Sequence, residues 1–336
     1  MRLSAPISAA AWARTASVCA SVLLRSAEAL AQSTGLPQLE DPPHERLSEG
    51  SLPDKSGEWA VLPIPQSNPT IGTGLQLLVA RFFQVDADST SSVVGIGGAG
   101  YDSGTWGAGA GGMVSFGEDR WRIKGGVAYF DARYDLFGVG TDAGNAGDSV
   151  PIAQEVRIIG AQVLRRVANA TYVGAGYFYL KTAVRLDGVD VPPPEIAGLL
   201  ERDGNVVDTG PQLAFTYDTR DSNFGPRTGV YANLSALFPG DTFGSTFTYQ
   251  RYSALINRYL PVGQKHTVAL GLSLCAVTAQ APFYAQCMYG AGGYPRGYVA
   301  GQYRDQAMYV GQAEWRTQLS ARMGFTAFAA IGQVGP

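Results

Sequence analysis

The sequence predicts an all-β fold, a transmembrane antiparallel β-barrel. Three observations lead there. Gly accounts for 43 of 336 residues, about 13% against a usual 7% or so. Charged residues make up only 16%, well below the roughly 25% of ordinary soluble domains. From Trp59 to the end, hydrophobic residues recur at every second position in segments divided by turn residues. This composition excludes a disordered chain, which is poor in apolar residues and rich in charge. The Gly has no three-residue period, which excludes collagen. Beyond the N-terminus no apolar run is long enough for a membrane helix. The net charge of -3 offers no basic surface for nucleic acid.

The chain divides into three parts. Residues 1–31 read as a signal peptide. Arg2 and Arg14 form the positive region, Ala16 to Leu24 the apolar run, and Ala29-Leu30-Ala31 the cleavage site. An ordinary helix is the other reading of that stretch. Residues 32–57 are polar, and Pro37, Pro42, Pro43 and Pro53 oppose regular structure, so a flexible periplasmic lead-in is expected. Residues 58–336 are the barrel. Removal of the leader leaves a net charge of -5 and two cysteines, Cys275 and Cys287. In an oxidising compartment these either form a disulfide or remain as two thiols in a dry interior.

Thirteen strands are expected: 58–64, 72–84, 92–102, 105–116, 120–131, 153–166, 169–183, 207–219, 228–238, 246–260, 266–278, 305–319 and 323–334. In 306–319 the odd positions include Tyr309, Ala313 and Trp315, while the even ones carry Gln312, Glu314 and Arg316. In 120–130 Trp121, Ile123, Val127 and Tyr129 oppose Arg120, Arg122 and Lys124. In 268–276 four apolar residues oppose Ala269, Gly271, Ser273 and Cys275. Such alternation also suits a soluble β-sandwich. Strand length, aromatic residues near strand ends and small residues on the opposite face favour the membrane barrel. The long connectors 132–152, 184–206 and 279–304 would lie outside the cell.

Two motifs stand out. Gly292-Gly293-Tyr294-Pro295-Arg296-Gly297-Tyr298 lies in the last long loop and presents a guanidinium on a tight turn. Inside a barrel, Arg296 would need a carboxylate partner. The bland reading is a solvated surface turn. The second motif, Asp218-Thr219-Arg220-Asp221 followed by Gly225-Pro226-Arg227-Thr228-Gly229, joins two strands. No catalytic residues are expected: nothing combines a nucleophile with a base, and neither His44 nor His266 has neighbours at metal-ligand spacing. No cofactor is expected. Gly95 to Gly100 opens no helix and is strand glycine rather than a dinucleotide loop.

Together these segments resemble the bacterial surface-antigen barrel domain of the BamA/TamA-like outer-membrane superfamily. Tyr294, Pro295, Arg296, Gly297 and Tyr298 match the tip of that family's sixth extracellular loop, which tucks into the barrel. Asp218, Arg220, Asp221, Pro226 and Gly229 match its D-x-R-D hairpin. Glu314-Trp315-Arg316 matches the strand after the loop, and Pro63-Ile64-Pro65 with Asn68 to Gly72 matches the first hairpin. The resemblance covers about 58–334. It implies bacterial outer-membrane location, sixteen strands, contact with outer-membrane lipid, and a role in inserting or exporting proteins or lipids. Client outer-membrane proteins or a periplasmic partner would be its protein contacts.

The sequence also departs from that family. The next strand usually carries Phe-x-Asp-x-Gly; here Phe328-Ala329-Ala330-Ile331-Gly332 puts Ala330 at the acidic position. Glu314 is then the candidate partner of Arg296. Thirteen strands are three short of sixteen, so strands are expected to be missing at the C-terminus. Residues 32–57 are too few for a periplasmic transport-associated domain. A passive pore lined by Arg120, Arg122, Lys124, Arg251, Glu314 and Arg316 is the alternative function.

Overall fold

The computed structural model describes residues 57, 59–222, 225–278, 280–291, 294–320 and 323–336. The expected signal peptide and nearly all of the lead-in lie outside them, as do Gly292 and Gly293. No helix among the described residues is long and apolar enough to cross a membrane.

Thirteen strands form one antiparallel sheet. They are β1 (Trp59–Asn68), β2 (Gly72–Phe83), β3 (Ser92–Tyr101), β4 (Trp106–Phe116), β5 (Trp121–Phe137), β6 (Ser149–Ala168), β7 (Thr171–Leu186), β8 (Asn205–Asp218), β9 (Gly229–Leu237), β10 (Arg251–Val262), β11 (His266–Val277), β14 (Ala307–Gln318) and β15 (Gly324–Gly335). Each pairs with its neighbours in chain order. Two short strands, β12 (Cys287–Met288) and β13 (Arg304–Asp305), pair with each other in the connector between β11 and β14. Antiparallel pairing satisfies the backbone polar groups between neighbouring strands, which lipid cannot do.

The connectors sort by end. Those at one end, 84–91, 117–120, 169–170, 219–228, 263–265 and 319–323, are mostly short and form the periplasmic side. The six at the other end are 69–71, 102–105, 138–148, 187–204, 238–250 and 278–306. The longest is the sixth. Two short helices lie in this set, α1 (Thr141–Ala146) and α2 (Pro194–Asp203), where the sequence reading placed connectors without regular structure.

The register fixes which side chains share a face. In β14, Met308, Val310, Gln312, Glu314 and Arg316 point inward; Tyr309, Ala313 and Trp315 point outward. β5 continues to Phe137 and β6 begins at Ser149, beyond the expected 131 and 153. In these extensions the faces exchange character. The outward row of β5 passes from Ile123, Val127 and Tyr129 to Asp131, Arg133 and Asp135. The inward row passes from Arg122 and Lys124 to Phe130, Tyr134 and Leu136. Above the membrane the strands therefore enclose an apolar core of Leu136, Val150, Ile152, Val156, Ile158, Leu180 and Val206. β10 starts at Arg251 rather than 246. Thr246 instead donates its N–H to Val207 O at 2.7 Å, so that stretch closes over β8.

The periplasmic end is knotted around Asp119, in the turn between β4 and β5. Its carboxylate accepts from Arg122 at 2.7 Å, Thr90 at 2.8 Å and the Tyr172 hydroxyl at 2.5 Å. The Arg122 guanidinium lies 3.9 Å from the centre of the Tyr172 ring. One acidic side chain thus joins the β2–β3 turn, β5 and β7. Asp119→Asn is expected to cost about 2 kcal/mol, read as a lower urea midpoint for protein refolded in vesicles. Burial pushes the Asp119 carboxyl up, but the hydrogen bonds from Arg122, Tyr172 and Thr90 outweigh it and hold it below the ordinary 3.8. Its stabilisation is complete above that value and is lost as pH falls through the lower folded value. The wild-type midpoint should therefore fall below about pH 4, with a smaller fall in the Asn variant.

Candidate functional site

The sixth loop does not stand above the barrel; it folds inward. Leaving β11, it buries Ala281, Phe283, Tyr284 and Ala285 against the inner wall. Asp203 at the end of α2 accepts the Phe283 N–H at 2.7 Å, and Arg202 donates to Ala281 O at 3.2 Å. The β12–β13 pair then forms a neck, with Cys287 opposite Asp305 and Met288 opposite Arg304. A disulfide joins Cys287 in the neck to Cys275 on the inward face of β11, with Cα atoms 5.6 Å apart. Tyr289, Tyr298 and Tyr303 pack edge to face around the neck, with ring centres 5.0–6.1 Å apart. The first three-residue connector holds the returning arm, where Ala300 N–H donates to Thr70 Oγ1 at 3.0 Å. The third connector holds it too: Gln302 donates to Gly144 O at 3.2 Å, and Gly140 donates its N–H to Arg304 O at 2.8 Å.

The tip reaches the inner wall of β10, β11, β14 and β15. Tyr294 follows Gly271 of β11 closely: a methyl group there would lie 2.8 Å from its ring. The Tyr294 hydroxyl donates to Asn257 Oδ1 of β10 at 2.7 Å. The Tyr294–Pro295 bond is cis. Gly297 has φ +86°, a conformation that other residues resist, so the turn that presents Arg296 depends on it. Arg296 donates its N–H to Gln312 at 3.3 Å and its guanidinium to Glu314 at 2.8 Å. The guanidinium also lies 5.7 Å from the centre of the Phe328 ring on β15.

Glu314 is only 6% exposed and serves two cations. Its Oε1 receives Arg296 and the Gln312 amide at 3.0 Å; its Oε2 receives Arg316 at 2.6 Å. Arg316 in turn lies 5.5 Å from the Tyr259 ring centre. Ala330 sits on β15 directly opposite Gln312, so an amide rather than a second carboxylate borders the tip. The sequence pointed to Tyr294, Arg296 and Glu314, and the structure brings them together. The sequence did not point to Gln312, Asn257 or Phe328 as contacts of the tip, although Gln312 lay on the polar face of its segment and Phe328 on the strand of the family motif.

The hairpin motif lies apart, at the periplasmic end. Asp218 accepts Arg220 through both oxygens, at 2.8 and 2.6 Å, and Arg220 is buried with its guanidinium 4.2 Å from the Tyr231 ring centre. Asp221 accepts the backbone N–H groups of Arg227 and Thr228 at 3.0 and 3.2 Å. Pro226 is buried, and Gly229 has φ +100°, where an added Cβ would meet Thr219 O. The motif is a self-capped turn. Of the residues expected to line a pore, Arg122 pairs with Asp119, Arg316 pairs with Glu314 and Arg251 is buried, while Arg120 is exposed beside Glu118.

An inward loop pinned by a buried carboxylate on a meandering antiparallel barrel defines a class of outer-membrane β-barrel, and the family comparison agrees. Residues 101–335 match the Omp85 superfamily domain, and the chain belongs to that superfamily and to the bacterial outer membrane. The fold is similar to BamA from Haemophilus ducreyi lacking POTRA domains 1–3, at 12% identity and TM-score 0.57, covering 83% of this chain and 57% of that one. It is also similar to CdiB from Escherichia coli, at 13% identity and TM-score 0.57, covering 84% and 52%. CdiB from Acinetobacter baumannii gives 11% identity and TM-score 0.54, covering 82% and 49%. The chain thus spans about half the length of these solved structures. Curated protein sequences give no significant match.

Two predictions follow from the loop's anchoring. Alkylation of unfolded protein without reductant should leave Cys275 and Cys287 unlabelled, while reductant should expose both. Glu314→Ala should destabilise the fold by about 3–5 kcal/mol, because two guanidiniums lose their carboxylate. Arg296→Ala should cost about 1.5–3 kcal/mol, because Glu314 keeps Arg316. Urea titration of the refolded variants tests this order, and a larger loss in Arg296→Ala would contradict the shared-carboxylate geometry.

Proposed function

We propose that this chain is the barrel of an outer-membrane assembly or translocation factor that assists insertion or export of proteins or lipids, without covalent catalysis. The observation that carries this reading is the Tyr294–Tyr298 tip held on the inner wall by Glu314. A passive channel needs an open, wet lumen. Here the sixth loop folds inward and joins the apolar core of the extracellular end through Phe283, Tyr284, Cys287 and Tyr289. What remains for function is the wall itself and its surrounding lipid, where a client strand would be received. Client outer-membrane proteins and a periplasmic partner that delivers them are the contacts this role requires.

The test is reconstitution. Vesicles containing the full chain should speed the folding of a small, urea-denatured outer-membrane barrel relative to empty vesicles. Arg296→Ala, assayed at equal folded amount, should lose most of that acceleration. Stable ohmic single-channel steps with no effect on client folding would overturn the reading in favour of a pore.

A further inference from the structure

The outward face of β5–β7 carries a pair of cations that the fold itself does not explain. Arg157 of β6 and Lys181 of β7 are direct cross-strand partners, and both are exposed. Like charges directly opposite one another destabilise a sheet. Among the described residues, neither lies within 4.0 Å of a carboxylate. The carboxylates in the next row up, Asp131 and Glu155, are both engaged by Arg185, at 3.0 and 3.2 Å. Tyr129 completes the row on β5, its ring centre 5.9 Å from the Arg157 guanidinium.

The height of this row is fixed by its neighbours. Directly below it the outward residues are Ile159 opposite Tyr179, then Ala161 opposite Tyr177 and Val163 opposite Ala175, down to Trp121 with Arg165 at 5.4 Å from its ring centre. From Arg157 to Arg165 is roughly 26 Å along the strand, or ~20 Å of height at the 35–45° tilt of such strands, which takes up most of their ~25 Å apolar band. Directly above the row the outward face becomes charged. Arg157 and Lys181 therefore stand at the outer boundary of the apolar band, where the phosphate of an outer-leaflet lipid lies.

We propose that Arg157 and Lys181, with Tyr129 beside them, form a binding site for a phosphate group of the outer-leaflet glycolipid. The phosphate sits between the two cations and relieves their repulsion, and the lipid's acyl chains run down over Ile159, Tyr179 and Val163. This rests on the chain's membrane orientation and not on its proposed assembly role. An anion held on this face ties β6 to β7 at the lipid boundary, beside the strands that carry the third and fourth loops.

The experiment uses the full chain in phosphatidylcholine nanodiscs, titrated with lipid A bearing both phosphates, with dephosphorylated lipid A, and with inorganic phosphate. A surface cation contributes about a fivefold gain for anionic lipid. Wild type should therefore bind phosphorylated lipid A about thirtyfold more tightly than the dephosphorylated form. The Arg157→Gln/Lys181→Gln double variant should lose that preference, and Arg165→Gln should keep it. Without phosphorylated lipid, the double variant should have a urea midpoint equal to or above that of wild type. An unchanged preference in the double variant would overturn the proposal. So would equal binding of dephosphorylated lipid A by wild type, or full displacement of lipid A by millimolar inorganic phosphate, which would mark a simple anion site.

Discussion

A strand that crosses a bilayer and continues into water must exchange its two faces at the boundary. Within lipid its outward side has to be apolar; above lipid the outward side must be charged and the inward side must form a core. β5, β6 and β7 all make this exchange at the row of Tyr129, Arg157 and Lys181. Much else depends on it. The apolar inward residues above that row give the loops something to pack against. Leu136, Ile152, Val156 and Leu180 share one apolar core with Phe283, Tyr284 and Ala285 of the sixth loop.

The sixth loop is held by different physics along its length. At the top, burial of Phe283, Tyr284 and Ala285 and the ring contacts of the neck tyrosines supply non-directional attraction. At the tip, position is set by directional bonds to Asn257, Gln312 and Glu314. A buried carboxylate is costly unless it is fully paired. Glu314 meets that condition by accepting two guanidiniums and an amide. Arg316 comes from the same strand face and is always at hand, so Glu314 stays paired when the tip moves away. Release of the tip thus leaves no isolated buried carboxylate.

The strands were legible in the sequence because period-two alternation is strong wherever lipid faces one side. The missed portions have a physical cause. Where β5 and β6 leave the membrane, the apolar phase shifts by one residue, so a single alternation stops at 131 and resumes at 153, although the strands stay paired up to Phe137 and Ser149. Helix α2 carried a readable signal, Pro194 at its start and Ile196, Leu199 and Leu200 at helical spacing. Its shortness left it within a connector. At the site, Arg296 and Glu314 were legible through the resemblance: the loop-tip motif singled out Arg296, and Ala330 at the acidic position left Glu314 as its candidate partner. Asn257 and Phe328 were not, since their part depends on which strands the folded loop reaches.

The family resemblance implies an acidic residue where this chain has Ala330, and that difference bears on how firmly the tip is held. Had a carboxylate stood opposite Gln312, two acids would face Arg296 and Arg316, and each cation would have a partner of its own. With Ala330 the cluster of Arg296, Arg316 and Glu314 carries one surplus positive charge. That surplus is placed against the π faces of Phe328 and Tyr259 instead. Cation–π contacts of this kind contribute about 0.5–2 kcal/mol, less than a buried ion pair forfeits when broken. The tip of this chain is therefore held by one shared carboxylate and softer contacts, and its hold is weaker than two full ion pairs would provide.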